Sequence, residues 1–210
     1  QDLRLADHLQ LYWLPRGLIE LGYRVTLETI ARPGAQARDY LRAGALYAAA
    51  QLAYFMGAYA DSRRHGEEAL AIAIEIGKIG RATATHLILG YACEALADRA
   101  AARTNFEASA TLARRMGDKA RLSFALNALA GHYGEVNDLD AAEPLFEEAL
   151  SLARDEQDHE SVAIGCANLA RLLVERGHAE RARALLAEGA AISRDIGSTR
   201  GGQNVIEAAV

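Results

Sequence analysis

"AEPLFEEALSLARDEQD" (residues 142–158) has two relatives in the same chain: "ARALLAEGAAISRDIGS" (182–198) and "ARTNFEASATLARRMGD" (102–118). The three stretches begin 40 residues apart. They share small, acidic, apolar and basic residues in register. A fixed step of this size is the signature of a repeat architecture, in which one supersecondary unit is copied along the chain.

The step can be followed through the whole sequence from Gly57. Counting by 40 gives Gly17, Gly57, Ala97, Asn137 and Gly177, each between two helical patterns. Five residues after these markers stand Gly22, Ser62, Ala102, Ala142 and Ala182, all small. Seven before them stand Gln10, Ala50, Gly90, Ala130 and Ala170, small in four of five. Nine after stand Thr26, Gly66, Phe106, Phe146 and Leu186, and four before stand Trp13, Ala53, Cys93, Tyr133 and Leu173. Small residues at two fixed places let paired helices approach closely, and large apolar ones elsewhere fill the space between repeats. Each unit therefore reads as a helix, a tight turn at the marker, a second helix and a polar loop. The loops are "GKIG" (77–80), "GDKA" (117–120), "QDHE" (157–160) and "GSTR" (197–200). Glycine just past a helix permits a left-handed cap, and the Asp or Ser that follows can cap the next helix.

The predicted fold is all-α, a right-handed α-α superhelix of about five helix pairs. One array fills residues 1–210, with units 1–38, 39–78, 79–118, 119–158 and 159–198 and a partial helix at 199–210. One unit cannot bury its apolar face alone, so neighbours must stack. Composition agrees: 51% of the 210 residues are hydrophobic but only 6% aromatic, and there are three prolines. Ala, Leu, Glu and Arg lose little freedom in a helix. The opening "QDLRLADHLQ" has no signal-peptide pattern. It lacks an initiator Met and starts within a helical pattern, which predicts a segment of a longer, cytoplasmic protein. The end, "NVIEAAV" (204–210), reads as the start of a further first helix. With Leu185, Leu186 and Ile192 beside it, that end predicts a homodimer through an uncapped terminus.

These columns resemble the tetratricopeptide repeat family. In that family small residues mark the closest approach of helices A and B, and a "GDY"-like turn joins them. "GAYADS", "NDLDAA" and "GHAERA" match that turn in register. The step of 40 exceeds the family's usual 34 and resembles kinesin-light-chain-like and bacterial regulator arrays. A second resemblance lies in "LQLYWLPRGLIELGYRVTLETI" (9–30), similar to the opening of arrays that follow the ATPase module of large bacterial transcriptional regulators. Tyr12, Trp13, Arg16, Gly17, Glu20, Gly22, Leu27 and Glu28 carry it, while Pro15 and Val25 depart from it. The resemblance implies a protein- or peptide-binding scaffold, the partner-binding or sensor arm of a signalling regulator.

Catalytic and metal motifs were sought without success. No GxxxxGK[ST], GxSxG, HExxH or calcium-loop pattern occurs. No cofactor or metal ligand set is predicted. His86 and His132 sit in apolar columns and read as buried or half-buried histidines with local hydrogen bonds; the other four are scattered. Cys93 and Cys166 read as reduced, buried thiols. The net charge of −5 argues against nucleic acid as a partner, and no apolar run is long enough to cross a bilayer. Acid pairs such as Glu67/Glu68 and Glu147/Glu148, and the stretch "RARA" (181–184), read as a solvated outer face with partners one helical turn away.

In this fold the first helix of each unit lines the concave surface. Its inward positions contain Tyr47, Gln51, Tyr54 and Phe55, then Leu87, Tyr91 and Glu94, then Phe124, Asn127 and Glu135, then Arg171 and Glu175. Residues three or four apart share a helix face, so these rings are expected on one inward surface beside an acidic line of Glu94, Glu135 and Glu175. Inter-repeat packing of the same rings is the competing reading. The expected function is non-enzymatic: binding of a protein or peptide segment, one bearing Lys or Arg, in the concave groove. The alternatives are a receptor for a small ligand or peptide signal, and an enzyme on a helical scaffold. A compact pocket with a pKa-perturbed acid-base pair would favour the enzyme.

Overall fold

The computed structural model describes residues 2–197. Among them are ten α-helices and one short 3₁₀ turn, with no strand. The helices are α1 (Asp2–Trp13), α2 (Ile19–Ala31), α3 (Tyr40–Phe55), α4 (Tyr59–Glu75), α5 (Ile79–Ala95), α6 (Arg99–Met116), α7 (Lys119–Glu135), α8 (Leu139–Asp155), α9 (His159–Glu175) and α10 (Ala179–Asp195). The predicted all-α solenoid of helix pairs is the fold. The expected continuation in "NVIEAAV" lies outside the described residues.

The turns explain the regularity. A left-handed residue (positive φ) recurs every 20 residues from 57 to 197: Gly57, Gly77, Ala97, Gly117, Asn137, Gln157, Gly177 and Gly197. At Ala97 the geometry is that of a helix C-terminus closed by two reverse bonds. The Ala97 N–H donates to Glu94 O and the Asp98 N–H to Cys93 O, both at 2.9 Å. The residue after each left-handed position then starts the next helix. Asp118, Asp138 and Asp158 each accept, through the side chain, the N–H three residues on. One residue thus finishes one helix and caps the next, which is why the connections are so short. The first unit departs from this plan. Pro33 cannot continue α2, so the helix stops at Ala31 and residues 33–35 form the 3₁₀ turn. The Arg42 guanidinium, 8% exposed, holds that turn through Ile30 O, Ala35 O and the Glu68 carboxylate.

The expected small-residue columns are the closest helix contacts. Ala50, Ala130, Ala102 and Ala142 have no exposed surface, and Ser62, Ala170 and Ala182 are equally deep. A methyl group added at Gly90 would stand 2.4 Å from the Phe106 ring, and one at Gly22 would stand 2.5 Å from Trp13. The chain divides into two compact units, 1–112 and 113–210. In the first, α1 packs on α2 and α3, and α4 on α3 and α5. In the second, α7 packs on α8, α8 on α9, and α9 on α10. Leu46, Leu52 and Ile72 centre one core; Phe146, Leu150, Cys166 and Leu173 centre the other.

The acidic pairs of the second helices were expected to find partners one turn away. Glu67 does, through Arg63. Glu68 pairs with Arg42 on the first helix of its own repeat, and others reach across to neighbouring repeats: Glu148 to Arg114, Glu188 to Arg154, and Glu147 to Arg181, each 34 residues away. Superhelical stacking sets this spacing, which a single-helix rule cannot supply.

Two substitutions with opposite signs test this packing. Gly90→Ala should destabilise by about 1–3 kcal/mol, because its methyl group has no room beside Phe106. Ala97→Gly should stabilise by up to about 1 kcal/mol, since φ is +60° there and a Cβ is strained in that region. Thermal melts shifting both proteins in the same direction would contradict the assignment.

Candidate functional site

Aromatic residues of α3 and α5 expected on the inner face meet one another. The Tyr54 ring is the hub. It lies 5.5 Å from Phe55, 5.6 Å from Tyr59 and 5.9 Å from Tyr91, centroid to centroid. Burial, with the Tyr59 phenol beside it, pushes the Tyr54 hydroxyl above the usual tyrosine range. Phe55 is 50% exposed, although it is large and apolar. Tyr91 is half-buried and meets the buried Phe106 edge-on at 5.2 Å, so this ring also closes the repeat. Gln51, Leu87 and Glu94 are half-buried around the cluster's helices. Both readings of the rings thus find a footing: Phe55 stands free for contact, while Tyr91 is shared with packing.

Tyr47 behaves differently. Its face is covered by the Arg81 guanidinium at 4.8 Å, and the same group reaches Tyr40 at 5.5 Å. Arg81 also donates to Asp7 of α1 at 2.8 Å, in a pair whose side chains are only 12% and 14% exposed. No local motif links Asp7 to Arg81, which lie 74 residues apart. Tyr59 was also missed, because it stands on a second helix, outside the columns that define the inner face.

The second unit has its own inner patch. Phe124 is 48% exposed on α7. One turn on, Asn127 accepts a hydrogen bond at 3.0 Å from the Asn168 side-chain amide of α9. A small cleft beside them is lined by Ser123, Phe124, Asn127, Ser161 and Ile164. Asn168 sits one column away from Asn127, and only the stacking of α9 on α7 brings the two together. Glu135, Arg171 and Glu175 are exposed, and Arg171 pairs with Glu175 at 3.6 Å, so the expected acidic line is partly neutralised in this unit.

Among the described residues no group of His, Cys, Asp or Glu could hold a metal ion, and no helix is long and apolar enough to cross a membrane. His86 is half-buried and bonded to Asn105, and His132 is buried against Tyr133. Both cysteines are free and buried; burial pushes the Cys166 thiol up to about 12. Neither is poised as a nucleophile.

Comparison with known proteins places this geometry. The family model described as "MalT-like TPR region" matches residues 44–207. No curated protein sequence matches the chain. Among solved structures, BtubC (BKLC) from P. vanneervenii superposes with a TM-score of 0.76 at 19% identity, covering 92% of this chain and 80% of that one. The apo form of RapI gives 0.81 at 12% identity, covering 99% and 82%. A Rap protein solved in complex with competence and sporulation factor gives 0.83 at 14% identity, covering 94% of this chain and 55% of its own. At these identities the structures speak for the fold alone.

A histidine–tyrosine contact joins α2 and α4. The buried His65 of α4 meets the Tyr23 hydroxyl of α2 at 3.2 Å. Burial, then the neighbouring Arg64 charge, pulls the His65 ring below its usual value of 6.5; Asp61 and Glu68 oppose this only in part. The folded protein therefore keeps this ring neutral where the unfolded chain would protonate it. Stability from this site is present above about pH 6.5 and is lost as pH falls below it toward the depressed folded value. Replacing His65 by Phe should flatten the fall in melting temperature between pH 7 and pH 5. An unchanged pH slope in His65→Phe would remove His65 as the cause.

Proposed function

Because the chain belongs to the family of MalT-like TPR regions, we propose that it is a non-enzymatic scaffold that binds an extended protein or peptide segment on its first-helix faces. The observation that carries this reading is the exposure of Phe55 and Phe124, at 50% and 48%. Both stand at inward helix positions, where solvent exposure of a ring does nothing for stability. Interfaces are built around such rigid aromatic anchors. Tyr54 and Tyr91 extend the first patch. Asn127 and Asn168 supply the second, with amide donors and a carbonyl left over from their mutual bond. These groups suit the backbone N–H and C=O groups of an extended segment, which need partners wherever they are buried.

The acidic side chains Glu94 and Glu135 favour a segment bearing Lys or Arg. In this reading the chain is the partner-binding or sensor arm of a bacterial regulator. The fold likeness to a Rap protein solved with competence and sporulation factor supports a peptide as the partner class.

The test is selection of binding peptides from a random display library on the whole chain, followed by calorimetry. Tyr54→Ala should cost on the order of 2 kcal/mol of binding, as central anchors do. Asn127→Ala should cost about 1 kcal/mol. Both proteins should keep the wild-type circular dichroism. Selected peptides that bind both variants as tightly as the wild type would place recognition off the inner faces.

A further inference from the structure

The repeat has one junction at which its own rule is broken. Eleven residues after each marker the chain writes Glu28, Glu68, Glu148 and Glu188, but Ala108 in the third unit. Seventeen after the marker, the third and fourth units have Arg114 and Arg154, but the second has Ile74. Where both charged residues are present they clasp the second helices of neighbouring repeats: Arg114 with Glu148 and Arg154 with Glu188. Between α4 and α6 neither partner of the clasp exists. A cavity of about 430 Å³ opens there, walled by Ile74, Ile79, Ala82, His86, Ala108 and Leu112. No charged side chain lines it. Its α5 lining is Ile79, Ala82 and His86, and it includes none of Leu87, Tyr91 and Glu94.

The wall holds one hydrogen-bonding ring. Asn105 spends its side-chain amide on Ala101 O at 2.9 Å. Its oxygen therefore faces the Nδ1 atom of His86 at 2.8 Å and accepts from it. Nδ1 donates in that bond, which leaves Nε2 as the ring's second hydrogen-bonding atom in a wall otherwise polar only at Thr111. His86 itself replaces the Leu46, Leu126 and Cys166 of the equivalent places. Three substitutions at one junction thus leave a cavity wall without charge, in which His86 and Thr111 are the polar side chains; the cavity of about 360 Å³ at the clasped α8–α10 junction is lined instead by Glu147, Arg154 and Arg181.

We propose that this cavity is a binding site for an uncharged, largely apolar small organic molecule that donates one N–H or O–H to Nε2 of His86. Its volume falls in the range of ligand pockets, roughly 300–1,000 Å³. A charged ligand would lose its hydration with no counter-charge in the wall. A peptide backbone would bury several polar groups against only two polar side chains, His86 and Thr111. Both considerations select a compact neutral molecule over a protein segment. The site is independent of the inner faces proposed above for a partner segment.

The probe is N-phenyl-1-naphthylamine, neutral and apolar with one N–H, titrated into the whole chain and read by fluorescence. Saturable binding of one probe per chain is expected. Ile74→Arg combined with Ala108→Glu rebuilds the clasp of the other junctions and should abolish it, with the helical circular dichroism retained. Ala108→Phe, which fills the cavity without charge, should abolish it independently. His86→Phe should weaken it by roughly three- to tenfold, the worth of one hydrogen bond. Tyr54→Ala, on the inner face, should leave it unchanged, so that failure here and failure of the inner-face reading are separable. Absence of saturable binding, or binding untouched by the two cavity variants, would overturn the proposal. Loss of probe binding in Tyr54→Ala with retention in Ala108→Phe would overturn it in favour of the inner face.

Discussion

The close approach of the two helices within each repeat is the constraint on which everything else depends. At Ala50, Gly90, Ala130 and Ala170 on one helix, and at Ser62, Ala102, Ala142 and Ala182 on the other, there is space for a methyl group or less. That contact sets how far apart the first helices of successive repeats stand. It thereby decides which first-helix side chains can meet. Tyr54 reaches Tyr91, and Asn168 reaches Asn127, because a repeat step brings α5 beside α3 and α9 beside α7. Van der Waals packing at a glycine or alanine thus governs aromatic and polar contacts on the other side of the same helix.

A second control operates at the helix ends. From α3 to α10, leaving a helix through a left-handed residue and capping the next with the following residue shortens each connection to two or three residues. Over that stretch no connection is long enough to carry function as binding loops do in other folds, which leaves the helix faces. The inner patches and the junction cavity are both of this kind: places where a helix face lacks the neighbour that the repeat supplies elsewhere.

The ion-pair clasps give that lack its meaning. Exposed pairs contribute little stability one by one. Their repetition at Arg114–Glu148 and Arg154–Glu188 matters here as a pattern, because both pairs bridge the second helices of successive repeats. Ile74 and Ala108 break the pattern together, and the groove between them stays open. A repeat protein thereby provides its own internal control, since each unit shows what the others would look like without their exceptions.

The sequence by itself determined the period, the helix pairing and the inner columns. Each follows from residue size and polarity at fixed spacing: Gly90 is small because Phe106 lies over it, and Asp138 follows Asn137 because a left-handed turn must pass into a capped helix. Tyr54, Phe55 and Tyr91 were legible together for the same reason, being positions on successive first-helix faces that the structure brings into contact. The partners of those side chains were decided only by the tertiary structure. Arg81 covers Tyr47 while held by Asp7, Tyr59 joins Tyr54 from a second helix, and Glu148 pairs with Arg114 rather than along its own helix. A helical period states which way a side chain points, but the distance between two helices is a property of their packing. For that reason the faces could be read from the chain, and the contacts between them could not.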